Sequence, residues 1–262
     1  GHLHLECHSV TLVNSYKKAL EHGLDFVILD RPNPLGRKIA GNILEKEAAS
    51  FLGLENLAWQ HGLTLGELGL LYGNRDNLPT VVKCQNYNPN LDFSEYKLPW
   101  VAPSPNMPSL NTVKVYPGTC LFEGTNVTEG RGTTQPFEII GAPFLDGHKW
   151  AKRLNSLQIP GVYFRALEFI PTFWRYQGEH CEGVQVHITD ETTFDPIFTG
   201  ISMIHDLLHN CNEFAFREDI FDRLAGNRLR SLLEILTPKE ITSYFESEIA
   251  EFADEVSSYF LY

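Results

Sequence analysis

Apolar positions in the first hundred residues switch between helical and strand spacing. Leu12, Tyr16, Ala19 and Leu20 share one face of a helix expected over Thr11–His22, with Gly23 placed to close it. The run Phe26-Val27-Ile28-Leu29 is short, continuous and rich in β-formers, the pattern of a parallel strand buried on both faces. Thr64–Leu71 predicts a second helix, with Thr64 as N-cap and Glu67 at the capping-box position, and Val81–Cys84 a second strand. Helix alternating with strand is the βαβ signature of a doubly wound α/β sheet. Such sheets usually carry about five or six strands, so a partner chain or a missing N-terminal segment is expected to complete this one.

The stretch Leu98-Pro-Trp-Val-Ala-Pro-Ser-Pro-Asn-Met-Pro108 breaks the pattern. Proline restricts itself and its predecessor, so an extended, stiff connector or site wall is expected here. Beyond it the reading is α+β. Gly161–Phe169 and Val184–Ile188 alternate with period two and predict strands, and Phe198–Phe216 predicts a helix. Thr237-Pro-Lys-Glu240 is a helix start, with Ile241, Phe245, Ile249, Phe252, Val256 and Tyr259 striping a last helix that runs to about Phe260.

The 262 residues carry a formal net charge of −12, which makes nucleic acid and anionic membranes poor partners. Residues 113–262 hold 22 acidic against 12 basic side chains and account for most of it. No apolar stretch approaches the ~20 residues of a spanning helix. The five cysteines (Cys7, Cys84, Cys120, Cys181, Cys211) include no CxxC pair, so buried reduced thiols are expected.

Chemistry-bearing residues concentrate in two places. Asp30-Arg31-Pro-Asn33-Pro follows the first strand, where ligands bind in doubly wound sheets; a salt-bridged turn is the competing reading. The second is the nineteen-residue run Tyr116–Thr134, which holds Glu123, Asn126, Glu129, Arg131, Thr133 and four further threonines, with few aliphatics. That is a poor core and a good sugar site. Glycines around Glu129 and Arg131 let the backbone approach a ligand and form an anion-binding nest. GxxxxGK[ST] and GxGxxG are both absent from the chain, so no nucleotide cofactor is indicated. His61 and His187 lack a second metal ligand at usable spacing, which indicates no metal and makes His187 a hydrogen-bonded structural histidine. Trp100 and Phe144 are candidates for stacking on a sugar ring, with core packing the equal alternative.

Leu29-Asp-Arg-Pro-Asn-Pro-Leu-Gly36, His61-Gly-Leu-Thr-Leu-Gly-Glu-Leu68, Leu98 through Pro143, Ile170-Pro-Thr-Phe173 and Gly183–Asp190 together resemble the NamZ-like exo-β-N-acetylmuramidases. That resemblance implies a Rossmann-like domain, present here as its C-terminal part over 1–112, a smaller α+β domain over 113–262, and a substrate cleft between them. It implies a further third of the protein ahead of Thr11, holding an acidic residue important for catalysis. It also implies a departure: Ala40 stands where the family has a carboxylate and Asn42 where it has a proline.

The partner implied is a peptidoglycan-derived muramyl saccharide. Glycoside hydrolysis needs two carboxyl groups about the bond, and Asp30, Glu123 and Glu129 are the candidates. Glu123 or Glu129 takes the charged role near the anomeric carbon, while Asp30 bonds sugar hydroxyls. Muramic acid carries a lactyl carboxylate, for which Arg131, then Arg31, is the expected cation. Asn33, Ser104, Asn106, Asn126 and Thr133 complete the expected substrate contacts. The alternative is a relative that binds muropeptides without cleaving them.

Overall fold

A computed structural model describes residues 5–262, the side chains of residues 5–7 and of Asn227 excepted. The chain divides into two compact units: residues 1–99 with Phe245–Tyr262, and Trp100–Tyr244. Both mix helices with small sheets.

In the first unit, α1 (Leu5–Glu21) begins six residues before the expected start. Ser9 and Val10 extend the buried face of Val13 and Tyr16 upstream, so the helix continues as far as it has a face to bury. Strand β1 (Val27–Leu29) pairs in parallel with β4 (Thr80–Val82), and β2 (Ala40–Ile43) pairs antiparallel with β3 (Ala58–Gln60). Burial of β1 on both faces is not observed. Ile28 is 5% exposed, whereas Val27 and Leu29 are 54% and 63% exposed, because among the described residues only the Ile28 side is covered by a helix.

That helix is α2 (Leu65–Leu71), and its capping box is formed as expected: the Thr64 hydroxyl accepts from the Glu67 amide, and the Glu67 carboxylate accepts from the Thr64 amide. Two glycines inside a seven-residue helix cost about 1 kcal/mol each in propensity. The packing explains them. A Cβ on Gly69 would lie 2.2 Å from the Ile28 side chain, and one on Gly66 2.7 Å from the Asp30 carboxyl group. Leu57, Ala58, Leu63, Leu68, Phe252 and Val256 form the core of this unit. The last two come from α8 (Pro238–Ser257), which ends three residues short of the expected Phe260.

The second unit is built on a three-stranded antiparallel sheet of order β5 (Ile139–Ala142), β7 (Cys181–Ile188), β6 (Val162–Phe169). Helix α3 (Leu110–Thr119) is capped by Ser109 and leads into a 3₁₀ turn, Cys120–Gly124. Helix α4 (Gly147–Ser156) packs on β6 and β7. Helix α5 (Pro196–Asn210) crosses α3 where Gly118 and Gly200 meet backbone to backbone. It ends before the expected Phe216, and residues 213–217 instead run beside the 124–126 loop. Two short helices, α6 (Glu218–Ala225) and α7 (Asn227–Ile235), precede α8. Cys120 and Cys181 are buried thiols as expected, while Cys84 and Cys211 are only half-buried; the Cys7 side chain lies outside the described residues.

Candidate functional site

The two clusters fall in different units, Asp30 in the first and the Glu123–Arg131 region in the second. Asp30 follows β1 and is 1% exposed. One carboxylate oxygen accepts from the Arg31 and Gly66 amides at 2.9 and 2.8 Å, the other from the Thr64 hydroxyl at 2.7 Å and the Tyr262 phenol at 2.8 Å. Four donors fill the acceptor positions of a carboxylate, so Asp30 ties β1, the start of α2 and the C-terminal residue together. Burial and the bond to Asp30 hold the Tyr262 phenol above its ordinary pKa. The Arg31 guanidinium donates to the Asp30 carbonyl rather than its carboxylate. Asn33 braces its own loop, donating to the Leu63 carbonyl and accepting from the Leu35 amide. Nearby, the fully buried Glu67 receives a two-pronged Arg37 at 2.7 and 2.9 Å and the Leu261 amide at 2.8 Å.

In the second unit, Glu123 stands in the 3₁₀ turn, and Glu129 and Arg131 on the loop that follows. The two glutamates converge on one nitrogen: Arg131 Nη1 donates to Glu123 Oε2 at 2.7 Å and to Glu129 Oε1 at 2.5 Å. All three are buried, Glu129 completely, Arg131 at 3% and Glu123 at 9% exposure. Burial opposes the charge on Arg131, but the two carboxylates outweigh it and raise its pKa above the ordinary value. The guanidinium also lies over the Phe137 ring at 4.9 Å and at 5.9 Å from the Trp174 ring. Arg131 Nε and Glu129 Oε2 are buried without a hydrogen-bond partner. The Arg175 guanidinium, bonded to the Glu123 carbonyl at 3.2 Å, is a second cation close enough to act on both carboxylates.

The loop glycines serve the protein itself, a correction to the reading that they clear space for a ligand. Gly130 and Gly132 have φ of 80° and 88°, and a Cβ on either would lie 2.3 Å from a backbone carbonyl oxygen, of Ile139 and Phe173 respectively. The Gly130 amide donates to the Thr128 hydroxyl. Thr133 bonds the Gly130 carbonyl through its hydroxyl and its amide. Asn126 uses both ends of its side chain on residues 213 and 215, donating to the Glu213 carbonyl and accepting from the Ala215 amide. On the connector, buried Ser104 accepts from the Asn106 amide at 3.3 Å, and half-buried Trp100 donates to the Met107 carbonyl.

Sequence reasoning passed over Arg175. Its guanidinium donates to the carbonyls of Thr125 and Val127 at 2.5 and 2.6 Å and of Glu123 at 3.2 Å, gathering the backbone on which the acids stand. Burial lowers its pKa. Arg217 was also missed: its amide donates to the Gly124 carbonyl at 2.7 Å, and its exposed side chain has no ion pair among the described residues. No sequence signal marks either, since both act across long chain separations. His187 differs from expectation, its buried Nε2 having no hydrogen-bond partner.

The N-terminal domain model of the exo-β-N-acetylmuramidase NamZ matches residues 7–111, and the C-terminal domain model matches residues 114–262. This chain belongs to the NamZ family. The peptidoglycan β-N-acetylmuramidase NamZ of Bacillus subtilis is 44% identical over 261 residues, an alignment covering 96% of this chain and 63% of that relative. The chain thus spans less than two thirds of that NamZ protein's length. Two crystal structures of DUF1343-family proteins from Bacteroides fragilis share the fold. One, 28% identical, has a TM-score of 0.86 over 98% of this chain and 71% of its own; the other, 27% identical, has 0.77 over 97% and 70%.

Proposed function

We propose that this chain carries the chemistry of its family, hydrolysis that releases N-acetylmuramic acid from the non-reducing ends of peptidoglycan fragments. The observation that carries this reading is the pair of buried carboxylates, Glu123 and Glu129, fixed on one guanidinium nitrogen of Arg131. Glycoside cleavage passes through a transition state in which positive charge develops on the sugar ring, and a fixed, desolvated negative site stabilises such charge without reorganising. Glu123, on the more accessible side of the pair, takes the charged role near the anomeric carbon. Glu129 supports it, and Arg131 holds both carboxylates in place. Asp30, with four internal donors, positions the loop at Arg31 rather than meeting sugar hydroxyls.

Because two carboxylates already share Arg131, the lactyl carboxylate of muramic acid is better received by a cation without an internal partner. Arg217, beside Gly124 in the second unit, is that cation. The parallel β1–β4 pair under α2 supports a Rossmann-like first unit, and the exposed Val27 and Leu29 support a further layer over the other face of that pair.

The test is turnover of a chromogenic N-acetyl-β-muramide. Glu123→Gln should lower kcat by at least about 10², the scale of lost transition-state charge stabilisation. Arg217→Ala should raise KM for the muramide while leaving a glucosaminide analogue unchanged. Saccharide binding without turnover would instead favour a non-catalytic muropeptide-binding relative.

A further inference from the structure

Resting on that reading, we infer that the loop Ile170–Gly178 is a sugar-binding platform beside the acid centre, with the Trp174 indole stacking on the apolar face of a pyranose ring. Large apolar side chains are seldom held out into water without a use when they cluster, and here Ile170, Phe173 and Trp174 are 57%, 51% and 45% exposed within five residues. Trp174 and Tyr176 adopt φ of 75° and 58°, a left-handed backbone that bulky residues avoid unless the surroundings impose it.

The surroundings do impose it. Before Trp174, Thr172 donates to the Gly132 carbonyl from both its amide and its hydroxyl, at 2.9 and 2.8 Å. After it, Arg175 grips the carbonyls of Glu123, Thr125 and Val127, and the Tyr176 phenol donates to the Asn126 carbonyl at 2.5 Å. Both flanks of the indole are therefore pinned to the two chain segments that carry Glu123, Glu129 and Arg131. With the Arg131 guanidinium 5.9 Å from the ring centroid, the indole stands at the edge of the charged centre with nearly half of its surface open. A rigid aromatic with a guanidinium over its ring and nearly half of its surface exposed suits a ligand that is polar at its rim and apolar on its ring face, which is the chemistry of an amino sugar. Pinning the loop in advance removes the ordering cost of binding.

The experiment is a titration with N-acetylmuramic acid, the product of the proposed reaction, so that turnover does not interfere, with indole emission and, for the affinity of every variant, calorimetric heats as the two readouts. Wild-type protein should show a saturable change in indole emission. Trp174→Phe should keep the affinity within about threefold while losing that change, since phenylalanine still stacks but the reporting indole is gone. Trp174→Ala should weaken binding about tenfold, the scale of a lost aromatic contact. An unchanged affinity in Trp174→Ala, or a full emission change in Trp174→Phe, would overturn the platform while leaving the enzyme assignment intact. A wild-type protein that binds no amino sugar and turns over no muramide would overturn both.

Discussion

Replacing Arg131 with methionine keeps most of the side-chain volume and removes the charge that two buried glutamates share. In the parent, Glu123 and Glu129 each accept from Nη1, at 2.7 and 2.5 Å, and Glu129 has no exposed surface. Removing one partner of a buried ion pair leaves an uncompensated charge and costs about 3–5 kcal/mol. The cation–π contact with Phe137 at 4.9 Å adds about 1 kcal/mol to the loss. Arg131→Met should therefore lower the free energy of unfolding by about 4–6 kcal/mol, read from urea transitions at pH 7. Adding Glu129→Gln to that background should recover at least about 2 kcal/mol, because the amide removes a buried charge. Glu129→Gln alone should be destabilising, so the double-mutant cycle gives a coupling of about 2–3 kcal/mol. A single Arg131→Met variant within 1 kcal/mol of the parent would show that water reaches the centre, and the electrostatic account of catalysis would fall with it.

Three further perturbations probe the frame around the site. Gly118→Ala places a Cβ 1.8 Å from the Pro196 carbonyl oxygen at the α3–α5 crossing; its cost should be about 3 kcal/mol, at the upper end for overpacking, and a thermal transition within 2 °C of the parent would refute the tight crossing. Asp30→Asn replaces an acceptor-only carboxylate that faces four donors with an amide whose NH2 cannot accept from them and should cost about 2–3 kcal/mol; no change on denaturation would show that the knot is dispensable. His61 accepts from the Leu63 amide through Nδ1 at 3.0 Å, and burial lowers its pKa from 6.5 to about 4, against a smaller opposing pull from Glu67. The unfolded chain then binds the proton first, so stability is complete above pH 6.5 and declines as pH falls toward 4. Between pH 7 and pH 5 this amounts to about 2 kcal/mol. His61→Gln should flatten that slope, and an unchanged slope would place the pH dependence elsewhere.

Elements whose stabilising interactions lie within one turn were legible. Thr64 and Glu67 read as a capping box and form one, and the stripe through Phe245, Phe252 and Val256 read as a buried helix face and is one. The composition of Tyr116–Thr134 marked the charged centre for the same reason, since Glu123, Glu129 and Arg131 lie within nine residues of one another. The burial of β1 was misjudged because a run such as Val27-Ile-Leu29 states what a strand can bury, whereas the covering layers decide what it does bury. The glycines at 130 and 132 were recognised as necessary but assigned to a ligand, since the carbonyls of Ile139 and Phe173 that require them approach only in the folded chain.

Local spacing thus determined the caps, the helix faces and the grouping of Glu123, Glu129 and Arg131, because each depends on neighbours close along the chain. Tertiary structure alone decided that two carboxylates share one guanidinium nitrogen, that Asp30 spends its lone pairs on Thr64, Gly66 and Tyr262, and that Arg175 gathers the carbonyls of Glu123, Thr125 and Val127. The physical reason is that hydrogen bonds are satisfied in space. A donor some fifty residues away can complete an acceptor's set, and nothing in the chemistry of either residue announces which partner the fold will supply.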